Sequence, residues 1–333
     1  MSKINGRGAT ITGKEMLTLV PYTEEMESQW NASVEASRNG TFLLDRRFMD
    51  YHRDRFMDCS LMFKRREKVL GCFPANYDAV SHTVYSHQGL TYGGLLLHDE
   101  TSATQVMEML HMLIDYYKQT FGASRLIYKL IPSIYHRYPS EEDRYALFRE
   151  GGKLIARGIS SAINLHSPIG YDKSRRRMLR KGEASSLNLY QTNAPEEFED
   201  YWKMLDNCLM ERHHVHPVHS CEEMQLLSSR FPEQIQFYAC RTQDGELVAG
   251  CWLFMCSKVV HTQYMTVSDH GKKTGALDYM ISCLKEKYKQ EYDYLDFGIS
   301  TEDNGRYLNE NLIYQKEGLG GRGICYDIYE LKL

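Results

Sequence analysis

The chain repeats itself, and this constrains its fold more than any other feature. Val69-Leu70-Gly71-Cys72 recurs as Val248-Ala249-Gly250-Cys251, an offset of 179 counted from Gly71 to Gly250. At the same offset His82-Thr83 recurs as His261-Thr262 and Tyr85 as Tyr264. Each copy reads as a charged turn (Arg65-Arg66-Glu67-Lys68 or Gln243-Asp244-Gly245-Glu246), an apolar run, a polar turn and a second, alternating run, the pattern of two strands. A helix then follows in both. Val106, Met109, Leu110, Leu113, Ile114 and Tyr117 share one helical face behind a Ser102 cap, and Leu277, Met280, Ile281, Leu284 and Tyr288 do the same in the second copy. Short strands over 125–130 and 294–298 come next. The ends agree as well, Glu150-Gly151 and Arg157-Gly158-Ile159 matching Glu317-Gly318 and Arg322-Gly323-Ile324. Self-similarity of this kind predicts a duplicated α/β unit; two unrelated α/β halves are the alternative.

Size agrees with two halves, because 333 residues exceed the roughly 250–300 that one core supports. With 40 Lys+Arg against 44 Asp+Glu the net charge is −4, which excludes the broad basic footprint of a duplex-DNA binder and leaves room only for a local patch. Nine cysteines without a Cys-x-x-Cys spacing read as reduced, mostly buried thiols. The most apolar window, 248–260, is shorter than the roughly 20 residues of a bilayer span. Residues 1–14 lack an apolar h-region. The expectation is a cytoplasmic protein with no membrane span.

Several familiar chemistries are struck off by inspection. Gly271-Lys272-Lys273-Thr274 resembles the end of a P-loop, but Thr266 stands where that motif needs glycine. Gly318-Leu319-Gly320-Gly321-Arg322-Gly323 fits G-x-G-x-x-G without room for the helix and acidic strand end of a dinucleotide fold. No nucleophile elbow, zinc-protease or kinase signature occurs. Four histidines crowd into 213–219, but Pro217 breaks any helix that would align them, so no metal is expected. Arg212, His213 and His216 are read instead as substrate-contacting or base residues beside a cleft, with an ordinary helix-to-loop junction as the alternative.

The second copy carries an anion cradle. Its strand over 259–267 runs into Ser268-Asp269-His270-Gly271-Lys272-Lys273-Thr274-Gly275-Ala276 and then a helix. A Gly-bearing turn opening a helix presents free N–H groups and the positive end of the dipole, so Val267, Gly271, Lys272, Lys273, Thr274 and Gly275 are candidates to hold a pyrophosphate or an oxyanion. The corresponding stretch of the first copy, Gly93-Gly94 followed by three leucines and His98-Asp99-Glu100, is unsuited to anions. Between the copies, Lys173, Arg175, Arg176, Arg177, Arg180 and Lys181 form the one basic cluster, either a solvated linker helix or a phosphate site.

Strand pair, glycine turn, helix and further strand resemble GNAT-fold acyltransferases, in which that turn holds the pyrophosphate of acyl-CoA. Lys272-Lys273-Thr274-Gly275-Ala276-Leu277 stands at the family's [Q/R]-x-x-G-x-[G/A] turn, with Lys first and Leu last. Two such halves joined by a Lys/Arg-rich segment look like the FemAB group, and Tyr314-Gln315-Lys316-Glu317-Gly318-Leu319-Gly320-Gly321 is similar to its Tyr-x-Phe-Lys-x-Gly-Phe-Gly end motif. His87 to Gly94 resembles its Gly-Pro-Tyr-Gly-Gly segment.

The resemblance implies an α/β fold of two tandem GNAT-like domains, with mixed, mostly antiparallel sheets flanked by helices. The expected division is 15–168, a basic linker helix over 169–186, and 187–333. It implies an N-acyltransferase moving an acyl group, from acyl-CoA as donor, to an amine on an amino sugar, peptide or cell-envelope precursor in the groove between halves. Aminoacyl transfer from tRNA held by 173–181 to a peptidoglycan precursor, and a non-catalytic tandem binding module, are the alternatives. Lys316 would stabilise an oxyanion or a phosphate, alongside His213 and His216 as catalytic candidates. Thr91, Tyr92, Arg306, Tyr307 and Arg212 would meet the acceptor.

Overall fold

The computed structural model describes residues 16–333, apart from the side chains of residues 212 and 213. The stretch 1–14 read above for a leader, and the start of the first expected domain at 15, lie outside the described residues. The first half runs β1 (Thr18–Pro21), α1 (Glu27–Ala36), α2 (Arg46–Met49), β2 (Met57–Asp58), β3 (Leu61–Arg65), β4 (Lys68–Phe73), β5 (Asn76–Asp78), β6 (Thr83–Tyr85), β7 (Leu96–Leu97), α3 (Ala103–Phe121), β8 (Arg125–Lys129), α4 (Glu142–Arg149) and β9 (Lys153–Asn164). After α5 (Lys173–Ala184) the order repeats. It comprises β10 (Asn188–Thr192), α6 (Pro195–His213), α7 (Cys221–Arg230), β11 (Ile235–Arg241), β12 (Leu247–Cys256), β13 (Val259–Val267), α8 (Asp269–Thr274), α9 (Ala276–Tyr288), β14 (Tyr294–Ile299), β15 (Thr301–Glu302), β16 (Tyr307–Leu308), α10 (Glu310–Gly318) and β17 (Arg322–Lys332). The duplication predicted from sequence is therefore present in the order of elements.

Its register is not the one read from the sequence. Gly71 of β4 pairs with Leu97, whereas Gly250 of β12 pairs with Thr266, so ten more residues separate the paired positions in the first half than in the second. The surplus forms the loop 86–95, which splits one continuous strand of the second half into β6 and β7 in the first. In the parallel pairs that follow, Tyr85 faces Ile127 and His261 faces Asp296 as the last rungs. Tyr85 thus corresponds to His261, and the expected match of Tyr85 to Tyr264 is off by three residues. The strand ends shift likewise, since Ala162 faces Asp296 while Glu330 faces Ile127, which separates Arg157 from its expected counterpart Arg322.

The halves share a sheet. β9, which ends the first half, lies between β14 and β17, and β17, which ends the second, lies between β9 and β8. Each half thereby completes the other's edge, giving one 11-stranded sheet, with β1-β3-β4-β7 as a separate four-stranded sheet. Edge strands that would be open templates in an isolated half are paired. One apolar cluster packs under α3 and another under α9. A third joins the halves, running from Trp30 and Phe48 to Phe198, Phe231 and Trp252. At about 1.5–3 kcal/mol for each large side chain buried, that shared cluster fixes how the halves meet. Among the described residues no helix is long and apolar enough to cross a membrane.

Candidate active site

β13 and β14 pair in parallel only over 259–261 and 294–296, and then part. Val260, Leu295 and Phe297 turn into the core under α9. Strand alternation sends His261 and Asp296 to the opposite face, toward the first half. Asp296 is fully buried. Its Oδ2 accepts from His261 Nδ1 at 2.9 Å, Tyr135 Oη at 2.7 Å and Tyr326 Oη at 2.9 Å. Its Oδ1 accepts from the Ser160 hydroxyl and, at 3.4 Å, from the Gly298 N–H. Burial alone would raise this carboxyl; the hydrogen bonds from His261, Ser160 and Tyr135 and the charge of His261 hold it down at about 2.

These donors come from β13, β9, β17 and the turn Ser133–Tyr135 of the first half, so the carboxylate exists only where both halves meet. A carboxylate on Nδ1 fixes the imidazole and leaves Nε2 as its basic nitrogen. His261 lines a space of about 10 Å3, the room of one water, together with Thr91, Tyr92, Tyr135, Gln263 and Tyr326. A register shift between Trp252 and Leu253 leaves Gln263 unpaired on β13. This bulge brings Tyr264 onto the face that His261 occupies, and such bulges re-aim side chains beside sites. An oriented imidazole with a free nitrogen is the equipment of a general base.

The turn expected to hold a pyrophosphate is built differently. Residues 269–274 coil into α8, capped by Ser268, whose side chain accepts from the Gly271 N–H. Lys272 pairs with Asp269 on the exposed surface, Lys273 is exposed, and Thr274 Oγ1 bonds back to the His270 carbonyl. Val267 is the last residue of β13 and pairs with Ala249. Gly271 lies so close to the Val248 carbonyl that a Cβ would stand 2.2 Å from it. α9 starts at Gly275 in the left-handed region, and α5 crosses directly over it: a Cβ on Gly275 would stand 2.2 Å from the Met178 carbonyl, and one on Gly182 2.8 Å from the Gly275 carbonyl. The third residue of α9, Asp278, is buried and pairs with Arg175 of α5 at 3.3 Å. The start of α9 is thus crossed by α5 and faced by the chain's own Asp278 carboxylate.

Lys316 is buried and faces backbone rather than a cavity. Its Nζ donates to the Gly298 carbonyl at 2.8 Å and the Ile299 carbonyl at 3.0 Å, holding the end of β14 just beyond Asp296. Burial pushes its ammonium down to about 8, against the pull of the Asp296 charge. Lys316 is therefore a positioning residue here, not the free charge expected. Tyr92 is buried in the His261 cavity with its hydroxyl 3.1 Å from Thr41 Oγ1 and its ring 5.2 Å from that of Tyr135; Thr91 lines the same space and is exposed. Arg306 and Tyr307 are exposed on the β15–β16 hairpin. The side chains of Arg212 and His213 lie outside the described residues. His214 ends α6 in the left-handed region, His216 Nδ1 pairs with Asp206 at 2.7 Å, and His219 Nδ1 meets Tyr264 Oη at 2.7 Å. Among the described residues no three His, Cys, Asp or Glu side chains gather as a metal site would require.

Sequence reading missed His261 and Asp296 as a pair, together with Tyr135, Tyr326 and Ser160. One signal was present: Asp296 is a lone carboxylate in the otherwise uncharged run Tyr294–Ile299, and a charge inside a buried strand demands a partner.

Fold and comparison agree. Residues 172–307 match the family model described as an acetyltransferase (GNAT) domain. No curated protein matches the chain. Among solved structures, FemX superposes with a TM-score of 0.68 at 10% identity, covering 95% of this chain and 97% of that one. L-PGS from Bacillus licheniformis gives 0.58 at 13% identity, covering 92% and 91%. A tandem GNAT protein from the clavulanic acid biosynthesis pathway gives 0.52 at 12%, covering 95% and 98%. Identities this low speak for the fold alone. The molecule has the GNAT fold. It carries that fold twice, in tandem, within one shared sheet.

Proposed function

We propose that this protein transfers an acyl group from an activated ester or thioester to an amine, with His261 as general base. The observation that carries the reading is the His261–Asp296 pair at the parting of β13 and β14, lined by residues of both halves. His261 Nε2 takes the proton of the attacking amine as its nitrogen bonds to the acyl carbon. The bond from that carbon to the donor's oxygen or sulfur breaks, and the leaving group receives the proton from His261. Asp296 stabilises the imidazolium in between, a task worth about 10²–10⁴-fold in rate for such bases. The space at His261 admits one water, so reactants enter by displacing the 86–95 loop that brings Thr91 and Tyr92 onto it.

For the donor, the aminoacyl ester of tRNA is favoured over acyl-CoA by one observation. Lys173, Arg176, Arg177, Arg180 and Lys181 lie at i, i+3, i+4, i+7 and i+8 on α5, all exposed, and their side chains make no hydrogen bond or ion pair with any described residue. They face away from the packed side formed by Arg175, Met178, Leu179 and Gly182. α5 also lies across the start of α9, where the sequence led one to expect CoA. Thermal shift separates the donors, since a ligand of the folded state raises apparent stability. Deacylated tRNA is expected to raise Tm, and Arg176→Glu with Arg177→Glu to abolish the rise. A shift with acetyl-CoA and none with tRNA would reverse the order of donors. Full turnover in His261→Ala would end the general-base assignment.

A further inference from the structure

A cavity of about 730 Å3 lies at the closed end of the β13–β14 pairing, where Lys258, Asp293 and Tyr294 lead into the two strands and meet residues 133–145 of the first half. It shares no wall with the space at His261. We infer that it is the site of a small, uncharged aromatic molecule that donates a hydrogen bond from its rim, indole and phenol being the simplest members of the class. Such a site goes beyond the acyl-transfer reading and does not depend on it.

His136 calls for the donor. This wall residue is more than nine-tenths buried. Its Nε2 stands 3.0 Å from the Ile131 carbonyl, which can only accept, so Nε2 carries the hydrogen. Burial pushes the imidazole pKa down, which keeps the ring neutral and leaves Nδ1 as a lone pair without a partner. Glu142, another wall and the first residue of α4, presents a second acceptor: Oε1 takes the Arg38 guanidinium at 2.8 Å, while Oε2 is buried and unpartnered. Buried acceptors are satisfied almost everywhere in folded proteins, so these two ask for a donor that the chain does not supply.

The charged walls are already matched. Arg137 pairs with Asp99 at 3.3 Å, Glu141 with Arg144 at 2.8 Å, and Lys258 with Asp293 at 3.4 Å, which His166 also meets at 2.8 Å. An ion would compete with these pairs, whereas a neutral ligand leaves them intact. Rings supply the flat surface. Tyr138 and Tyr145 are 69% and 50% exposed, Tyr294 is a third wall, and among the described residues no other aromatic ring packs on any of them. Aromatic faces left bare in this way take another ring in offset or edge-on contact. His136 directly follows Tyr135, whose hydroxyl meets Asp296 at 2.7 Å, so an occupant would lie against the turn that serves the His261–Asp296 pair.

Saturation-transfer NMR on the intact protein reads the site without turnover. Indole is expected to bind saturably, and 1-methylindole, which keeps the ring and loses the donor, about fivefold more weakly. Tryptamine and indole-3-acetate carry the same ring with a charge of either sign and are expected to bind more weakly than indole. His136→Phe is expected to make indole and 1-methylindole bind alike. Should that variant not fold, Tyr138→Ala removes an exposed ring and is expected to weaken both probes about fivefold with Tm unchanged. No saturable binding of indole, equal binding of 1-methylindole, or native affinity in Tyr138→Ala would each overturn the site. Tighter binding of either ion would overturn the uncharged class. Binding of N-acetyltryptophanamide more than about tenfold tighter than indole would overturn the free small molecule and make the occupant a partner's side chain.

Discussion

Both halves lay two strands side by side for three rungs and then let them part, but they end those rungs with different chemistry. In the first half the last rung is Tyr85 opposite Ile127; in the second it is His261 opposite Asp296. The openings beyond are also closed differently. The first is filled by its own extra loop: Ser86 and Gly93 donate backbone N–H groups to the Ile127 and Lys129 carbonyls at 2.9 and 3.0 Å, and the Lys129 ammonium donates to the carbonyls of His87, Gln88 and Leu90 at 3.1, 3.1 and 2.7 Å. The second is held from outside, by Lys316 of α10 on the end of β14 and by α5 across the start of α9. Duplication kept the pairing and released the residues. One copy supplies the oriented imidazole, and the other supplies Tyr92 and Tyr135 as walls.

That contrast can be broken most sharply at the two last rungs. His261→Ala is expected to lower turnover by about 10²–10⁴-fold and, by leaving the buried Asp296 carboxylate without its imidazole, to lower Tm as well, while Tyr85→Phe leaves turnover within twofold and Tm nearly unchanged. Steady-state rates with parallel thermal melts decide it, and equal losses in both variants would erase the distinction between the copies. Next in size is Asp296→Ala, which strands His261, Ser160 and two tyrosine hydroxyls in the seam. By the cost of breaking a buried charged pair it loses about 3–5 kcal/mol in denaturant unfolding, and a loss under 1 kcal/mol would remove the carboxylate as the pin between halves.

A third test probes two buried histidines, His87 of the 86–95 loop and His219 of the α6–α7 connection. Burial, reinforced by the charge of His52, pushes the His87 imidazole down to about 3, and burial, partly offset by Glu223, pushes His219 down to about 4. Both folded values lie below the unfolded value near 6.5, so the unfolded chain takes up protons first as pH falls. The stability they confer is complete above pH 6.5 and is lost between 6.5 and about 4 for His219, and on toward 3 for His87. The slope is at most about 1.4 kcal/mol per pH unit for each. His219→Gln is expected to flatten that slope, and an unaltered profile would show that His219 is not buried neutral. The smallest effect belongs to the loop's clamp: Lys129→Ala is expected to cost about 1 kcal/mol and to speed amide exchange at Gly93 and Leu95 while leaving β13 protected. Equal acceleration in β13 would mean that the two openings are not independent.

Much of the architecture was legible. The spacing Val106, Met109, Leu110, Leu113, Tyr117 is read off as one helical face because each of those side chains must be buried together, and α3 does begin after Ser102. The basic segment expected as a linker helix is one, over Lys173–Ala184, with Asp172 as a cap that the sequence reading did not name. The site was less legible. His261 was noticed only as a landmark of the repeat, at a register that the extra loop makes false, and the helix α5 lying across the start of α9, beside Lys272 and Lys273, could not be read at all.

The amino-acid order alone settled that the chain is a doubled α/β unit with one basic helix between its copies, since hydrophobic period and turn residues act over a few neighbours. Only the tertiary structure decided which copy holds the imidazole and carboxylate, that β9 and β17 change places, and that Arg175 and Asp278 close the start of α9. Those outcomes depend on side chains more than a hundred residues apart meeting in one desolvated place, where a charge survives only if partners from several elements arrive together.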